Sequence, residues 1–380
     1  YKITQLLRGR YHFEGSVCTD WMVTDDEHHT GIHYGKPWGV EHLSLGERHY
    51  KALMAGVDQF GGNYDKEPVL EAYQMGVNEV GKDSMDRRMR QSAKRLLLNF
   101  FRAGIFENPY IDVERTKEIV GCPEFMAEGW DAQLKSVVML KNHNNVLPIQ
   151  EKVKVYIPNR TVPEWRDFWR HKHNATTICP IPRTIAERYF ECVDTPEEAD
   201  MAIVFITSPN SGCGYILEEA QEGTGNGYHP ISLQYEDYTA TLARDTSIAG
   251  GDPFEDFTNR CYNGKSCQTV NRNDMVLVRD TKKALGEKPV IVAVNLSKPM
   301  IMKEIEPFAD AMFVTFDVQN QAVLEMISGK AAPTGRLPFQ MPANMETVET
   351  QQEDTPHDME CYKDEDNNVY DFGFGLKYQQ

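Results

Sequence analysis

The chain has 380 residues, 41% of them hydrophobic and 10% aromatic, with a formal net charge of -17. That length is enough for two domains, and the composition excludes a disordered chain. The acidic balance excludes nucleic acid and anionic membrane surfaces as partners, and no apolar run is long enough for membrane insertion.

Taken in chain order, Tyr1 to Arg8 reads as the middle of a helix, as expected of a piece of a longer or processed protein. Phe13-Glu14-Gly15 then leads into the short apolar run Ser16-Val17-Cys18 and on to Thr19-Asp20-Trp21. A short apolar run between a Gly turn and a polar loop reads as a buried parallel strand, with Asp20 at its carboxyl end. In α/β proteins the site lies at such ends. A carboxylate beside an indole suits a sugar, because one can attack an anomeric carbon while the other offers a flat apolar face. An Asp in this place is also an ordinary helix cap or turn former. His28, His29 and His33 crowd the following loop without ligand spacing and read as loop or subsite residues, not metal ligands.

Residues 45–53 suit a helix, and 52–58 run into a second strand end at Asp58, followed by the loop Gln59-Phe60-Gly61-Gly62. Val69–Val80 is an amphipathic helix. Met85, Met89, Ala93, Leu96, Leu97, Phe100 and Phe101 recur at helical spacing up to Gly104. Residues 113–135 read as a linker, with helical character over 125–140. Beyond it, Val153–Ile157, Met201–Ile206, Val290–Asn295 and Ala311–Thr315 are strand candidates. Asp274–Leu285 and Gln321–Ser328 are helices between them. Alternating strands and helices mean a mostly parallel sheet covered on both faces. The acidic stretch Glu346–Asn368 reads as an exposed loop, and Tyr370–Leu376 as a docked end.

The chain carries eight cysteines, with no CxxC pair and no zinc spacing, so no metal is expected. Cys18 and Cys179 lie in apolar runs and read as buried thiols. Cys261 and Cys267 flank a Gly-Lys turn, where a small disulfide competes with two free thiols.

Several of these stretches together resemble glycoside hydrolase family 3. They are Leu6-Leu7-Arg8 with Phe13–Val17 and Thr19-Asp20-Trp21, the helix and exit from Arg87 to Tyr110, Ser136–Asn142 with Val146–Ile149, Gly335–Phe339, and Phe372–Leu376. The resemblance implies an α/β chain: the C-terminal portion of a (β/α)8 barrel over 1–112, a linker over 113–135, and an α/β sandwich over 136–380. It implies a site between the two domains. It also implies an exo-acting retaining β-glycosidase of β-glucosidase or β-xylosidase type, acting on an oligosaccharide or β-glycoside and needing no cofactor. Asp20 matches the nucleophile, and Trp21 would line the sugar subsite. Retention through a glycosyl-enzyme wants a second carboxylate about 5–5.5 Å away. The resemblance is compatible with a secreted or periplasmic setting, while the residues themselves assign no compartment.

Two departures follow. Two barrel strands leave open edges, so a second copy or an N-terminal barrel segment is expected to complete the barrel. The family's acid/base Glu falls on Cys213 in Asn210-Ser211-Gly212-Cys213-Gly214-Tyr215, and a thiol is a poor proton donor. Glu218 and Glu219 are the nearest replacements, ahead of a Gly-rich loop that lacks the P-loop Lys-Ser/Thr. Asp58 reads as a structural residue at the rim or as a contact to substrate. The rival reading is a catalytically inactive carbohydrate-binding or interaction module. A flavodoxin-like nucleotide domain ranks last, because no Gly fingerprint follows the first strand.

Overall fold

The computed structural model describes residues 1–25, 39–40, 42–149, 152–166, 171–212, 214–244, 261–352 and 355–378. They fall into two compact units, Tyr1–Val120 and the residues from Gly121 onward.

The first unit is mainly helical: α1 (Leu45–Ala55), α2 (Glu67–Val80), α3 (Lys82–Arg102) and α4 (Val113–Ile119), after a π-helical Lys2–Arg10. A capping box at Ser44 and Glu47 starts α1, and Gly56 ends it at φ +112°. Leu53, Ala72 and Met85 form its small core, with Phe60, Tyr73 and Met89 against them. The two expected barrel strands reduce to a single parallel bridge between Cys18 and Gln59. One bridge leaves most of the run uncovered, so Cys18 is exposed and not the buried thiol its apolar neighbours suggest. The same holds along α3. Met85 is fully buried, but Leu97, Phe100 and Phe101 are 44%, 47% and 59% exposed. The apolar spacing continues beyond the helices that cover it.

The expected linker contains α4 and most of α5 (Pro123–Ser136). α5 stops at Ser136 because β-branched Val137 and Val138 lead straight into a strand. The helix expected over 125–140 is thereby shortened at its end.

The second unit is built on a six-stranded sheet: β1 (Val138–Asn142), β2 (Lys154–Tyr156), β3 (Glu191–Val193), β4 (Met201–Thr207), β5 (Val290–Asn295) and β6 (Ala311–Thr315). The spatial order is β1-β6-β5-β4-β2-β3, with β1 antiparallel and the other pairings parallel. Both faces are buried, so the central strands read as unbroken apolar runs. Val204, Val292 and Met312 belong to one face, with Met275 and Val278 of α6 (Asn273–Leu285). Ile203, Ile291 and Phe313 belong to the other, with Val323 and Leu324 of α7 (Asn320–Ile327). Strand order reverses between β2 and β4, where sheets of this kind take ligands.

The C-terminal residues close on β1. Leu376 N–H donates to Met139 O at 2.8 Å, and Gly335 N–H to Val137 O at 3.2 Å. Lys141, 1% exposed, pairs with Glu306 at 2.6 Å and Glu365 at 2.8 Å, and Tyr362 donates to Glu306 at 2.7 Å. The stretch expected as an exposed acidic loop is therefore partly interior. Asp364 is buried because Asn368 N–H, its amide and Tyr370 hydroxyl satisfy it at 2.8, 2.9 and 3.2 Å.

One cysteine expectation changes here as well, and one open alternative is decided. Cys179 is exposed, following the exposed strand Thr176–Ile178. Cys261 and Cys267 are free thiols. Cys261 sulfur accepts from Asn263 N–H at 3.3 Å, while Cys267 interacts with Ser211 and Ser232, so each thiol has its own partners.

Candidate functional site

In the first unit, Asp58 and Gln59 N–H both donate to Val17 O, at 2.8 and 3.1 Å, and Thr19 N–H donates to Gln59 O at 2.9 Å. Gly61 N–H then donates to Thr19 Oγ1 at 2.8 Å, and Met22 N–H to Gly61 O at 2.8 Å. These bonds hold Thr19–Met22 against Gly61 and Gly62. A Cβ on Gly62 would stand 2.7 Å from Trp21 Cδ1, and Gly62 has φ +73°, so the approach needs glycine. Asp20 is exposed on this loop and, among the described residues, accepts from Trp21 N–H at 2.7 Å. Trp21 is 62% exposed. An exposed carboxylate and an open indole thus stand side by side on a braced turn. The loop residues His28, His29 and His33 lie outside the described residues.

Asp58 does not share that exposure. Its side chain is 0% exposed and pairs with Arg8 at 2.6 Å, Arg95 at 3.0 Å and Arg88 at 3.3 Å. Ser92 hydroxyl donates to it at 2.6 Å and Val17 N–H at 3.1 Å. Burial alone would raise its pKa. The bonds from Ser92, Val17 and Arg95 outweigh burial and hold it below the ordinary value. Of its two readings, Asp58 fits the structural one: it is a buried ion-pair hub under the Asp20 loop. Its three arginines were invisible as partners, because they come from positions 8, 88 and 95.

In the second unit, Cys213 lies outside the described residues. The loop around it is a closed hairpin: Ile216 N–H donates to Gly227 O and His229 N–H to Gly214 O, each at 2.8 Å. Tyr215 and Tyr228 meet edge to face at 5.1 Å. The short helix Leu217–Gln221 sits within it and carries both candidate acids. They are not equivalent. Glu219 accepts from Lys265 at 2.6 Å and pairs with His229 Nε2. The Lys265 bond, then the His229 bond, bring its pKa down to about 2. A carboxylate held so firmly ionised is an anchor, not a proton donor. Glu218 is exposed and has no side-chain partner among the described residues. His229 and Lys265 were not read from sequence as partners of Glu219. They lie 10 and 46 residues away without a shared motif.

The carboxyl end of β4 meets a buried ion-pair cluster. Arg160 Nε and Nη2 donate to the two Asp274 oxygens at 2.7 and 2.8 Å, and Nη2 also to Thr207 Oγ1 at 2.7 Å. Asn271 amide adds donations to Asp274 at 2.9 Å and to Ser208 O at 3.1 Å. No group of metal-ligating side chains is found among the described residues.

Comparison with known proteins adds the following. The model of the glycosyl hydrolase family 3 C-terminal domain matches residues 137–378. The chain is 30% identical over 377 residues to a probable beta-glucosidase C of Aspergillus flavus, covering 99% of this chain and 48% of that protein. It is 28% identical over 388 residues to a periplasmic beta-glucosidase/beta-xylosidase of Dickeya chrysanthemi, covering 100% and 48%. Its fold matches a beta-glucosidase of Listeria innocua with TM-score 0.56 at 18% identity, covering 99% of this chain and 49% of that one. The chain spans about half the length of the curated relatives it matches.

Proposed function

This chain belongs to glycosyl hydrolase family 3, and from that premise we propose that it supplies the nucleophile loop and sandwich domain of a retaining, exo-acting β-glycosidase. We take 1–112 as the barrel segment, 113–135 as its exit and 136–380 as the sandwich. The observation that carries the reading is Asp20, exposed beside Trp21 on a loop braced by Gly61 and Gly62. Asp20 attacks the anomeric carbon of a non-reducing-end glucoside or xyloside and forms a glycosyl ester. The departing oxygen takes a proton from the acid. Water then attacks the anomeric carbon and expels the Asp20 carboxylate, while the same group, now a base, takes a proton from that water, so the second displacement restores the configuration. Trp21 gives the ring an apolar face. The uncovered apolar positions of α3 fit a barrel completed by a preceding segment.

A slow 2-fluoro β-glycoside tests the assignment, because it traps the ester. In a preparation that turns over substrate, the label is expected on the peptide containing Asp20. A label on another carboxylate refutes it. Failure to label or turn over any β-glucoside or β-xyloside would favour the inactive binding module.

Glu218 is the better candidate for the acid. Glu218→Gln is expected to slow disaccharide cleavage by roughly 10²–10⁴-fold and to spare nitrophenyl glycosides, whose leaving group needs no proton. Glu219→Gln breaks the tie to Lys265 and His229, so it should slow both substrates together. Selective loss of disaccharide cleavage in Glu219→Gln alone would reverse the assignment.

A further inference from the structure

Three arginines surround Asp58, but among the described residues only Arg8 also bonds to the segment that leads to Asp20. Arg8 Nη1 carries two hydrogens and donates to Phe13 O at 3.1 Å and to Gly15 O at 2.9 Å. Its Nη2 donates to Asp58 Oδ2 at 2.6 Å. That same oxygen accepts from Val17 N–H at 3.1 Å. One guanidinium–carboxylate pair therefore grips the segment at Gly15 and again at Val17. Residues 58–61 continue the grip through Val17 O, Thr19 N–H and Thr19 Oγ1. The points of attachment are residues 15, 17 and 19, and Asp20 follows the last of them.

Charge alone does not explain this arrangement. Arg88 and Arg95 also neutralise Asp58. Arg88 spends its other bonds on Ser92, Leu53 O and Val57 O, away from the Asp20 segment. What Arg8 adds is direction. A guanidinium is a planar fork with donors in fixed directions, whereas an ammonium is a point charge on a flexible stem. The fork also lies over the Phe13 ring, 5.7 Å from its centroid. That ring closes on Gly15, where a Cβ would stand 2.6 Å from ring carbon Cζ. Fork, ring and glycine pack as one layer behind the segment. We infer that Arg8 is a positioning residue, fixing the register of residues 15–19 and through it the place of the Asp20 carboxylate opposite the anomeric carbon. The inference rests on Asp20 as nucleophile. A misplacement of about 1 Å caused far from the chemistry can cost roughly 10²-fold in rate.

The test uses the full-length enzyme and a nitrophenyl β-glucoside or β-xyloside, whose leaving group needs no proton. Arg8→Lys keeps the charge beside Asp58 and loses the fork. It is expected to lower kcat roughly 10- to 100-fold while KM stays within about threefold, the split that marks misplacement in place of lost binding. Arg95→Lys is the control, because Arg95 pairs with the same carboxylate at 3.0 Å without a bond to residues 13–22 among the described residues. Its kcat should stay within about threefold of wild type, whatever happens to stability. Labelling of Asp20 by a 2-fluoro β-glycoside should slow in Arg8→Lys and not in Arg95→Lys. If Arg8→Lys does not fold, Phe13→Ala replaces it, since Phe13 is 41% exposed and its ring backs the fork. The expected loss in kcat is then about tenfold. An unchanged kcat in the Arg8 or Phe13 variant overturns the inference, and so does an equal loss in Arg95→Lys, which would mean that the hub acts on stability alone. A wild-type label on a carboxylate other than Asp20 sinks the nucleophile assignment itself, and the inference with it, so the two failures are told apart by where the label lands.

Discussion

Asp20→Ala is expected to lower kcat by roughly 10⁴-fold or more, the scale on which removing a catalytic nucleophile acts, with little change in stability. Asp20 is exposed and accepts one local bond from Trp21 N–H. Exposed substitutions of this kind usually stay within about 0.5 kcal/mol. Activity and fold should thus come apart, which a structural aspartate would not allow. Added azide should restore part of the rate on an activated β-glycoside. The small anion enters the space left by the carboxylate and displaces the leaving group once, giving a glycosyl azide of inverted configuration. Two displacements retain configuration and one inverts it. A variant that keeps a tenth of wild-type kcat, or an azide product of retained configuration, would remove Asp20 from the reaction.

The second large effect falls on stability. Asp58→Ala leaves the guanidinium groups of Arg8, Arg88 and Arg95, each with 12–15% of its side chain exposed, around a site with no anion. Breaking a buried pair by removing one partner costs about 3–5 kcal/mol, and here one carboxylate serves three cations. The expected result is a fall of that size in the unfolding free energy of the unit holding Asp20, measured by chemical denaturation. Asp86, half-buried on α3, paired with Lys82 at 2.6 Å and accepting from Tyr73 hydroxyl at 2.7 Å, is the control. Asp86→Ala should cost under about 1 kcal/mol, as surface pairs do. The pH dependence has a fixed sign. The folded pKa of Asp58 is depressed, so its stabilisation is present above the unfolded value near 3.8 and is lost as pH falls through the lower folded value. A loss below about 1 kcal/mol in Asp58→Ala, or equal acid sensitivity in wild type and variant, would show that the arginines find other anions.

The sheet was the most legible part of the sequence. Met201–Ile206, Val290–Asn295 and Ala311–Thr315 are short, apolar on both faces and bounded by polar residues, and each is a strand. A doubly buried parallel strand leaves that pattern whatever its neighbours are. Asp20 could be picked out as the residue closing an apolar run, but its brace could not, since it depends on Gly61 and Gly62 forty residues on. The surroundings of Asp58 and Glu219 were hidden for a related reason. Each is decided by charges brought in from distant positions: three arginines in one case, and Lys265 with His229 in the other. A carboxylate that anchors and one that reacts look alike in sequence, and only their partners separate them. The exposure of Cys18 and Cys179 was missed because local hydrophobicity records what a segment could bury, not what is there to cover it.

The closure of the C-terminal residues on β1 has a consequence for how the protein is made. β1 is synthesised early in the second unit, but its outer edge is capped by Gly335 and Leu376, and Lys141 is neutralised in part by Glu365. While the ribosome is still reading the intervening codons, that edge stays unpaired and that ammonium lacks one of its two carboxylates. The sheet can collect its strands as they emerge, yet its last seam is sealed only when Leu376 has been synthesised. A nascent chain interrupted before Tyr362 would carry an open strand and a half-matched buried lysine, which chaperones and proteases recognise. Completion of the domain is in this way tied to synthesis of Tyr362–Leu376.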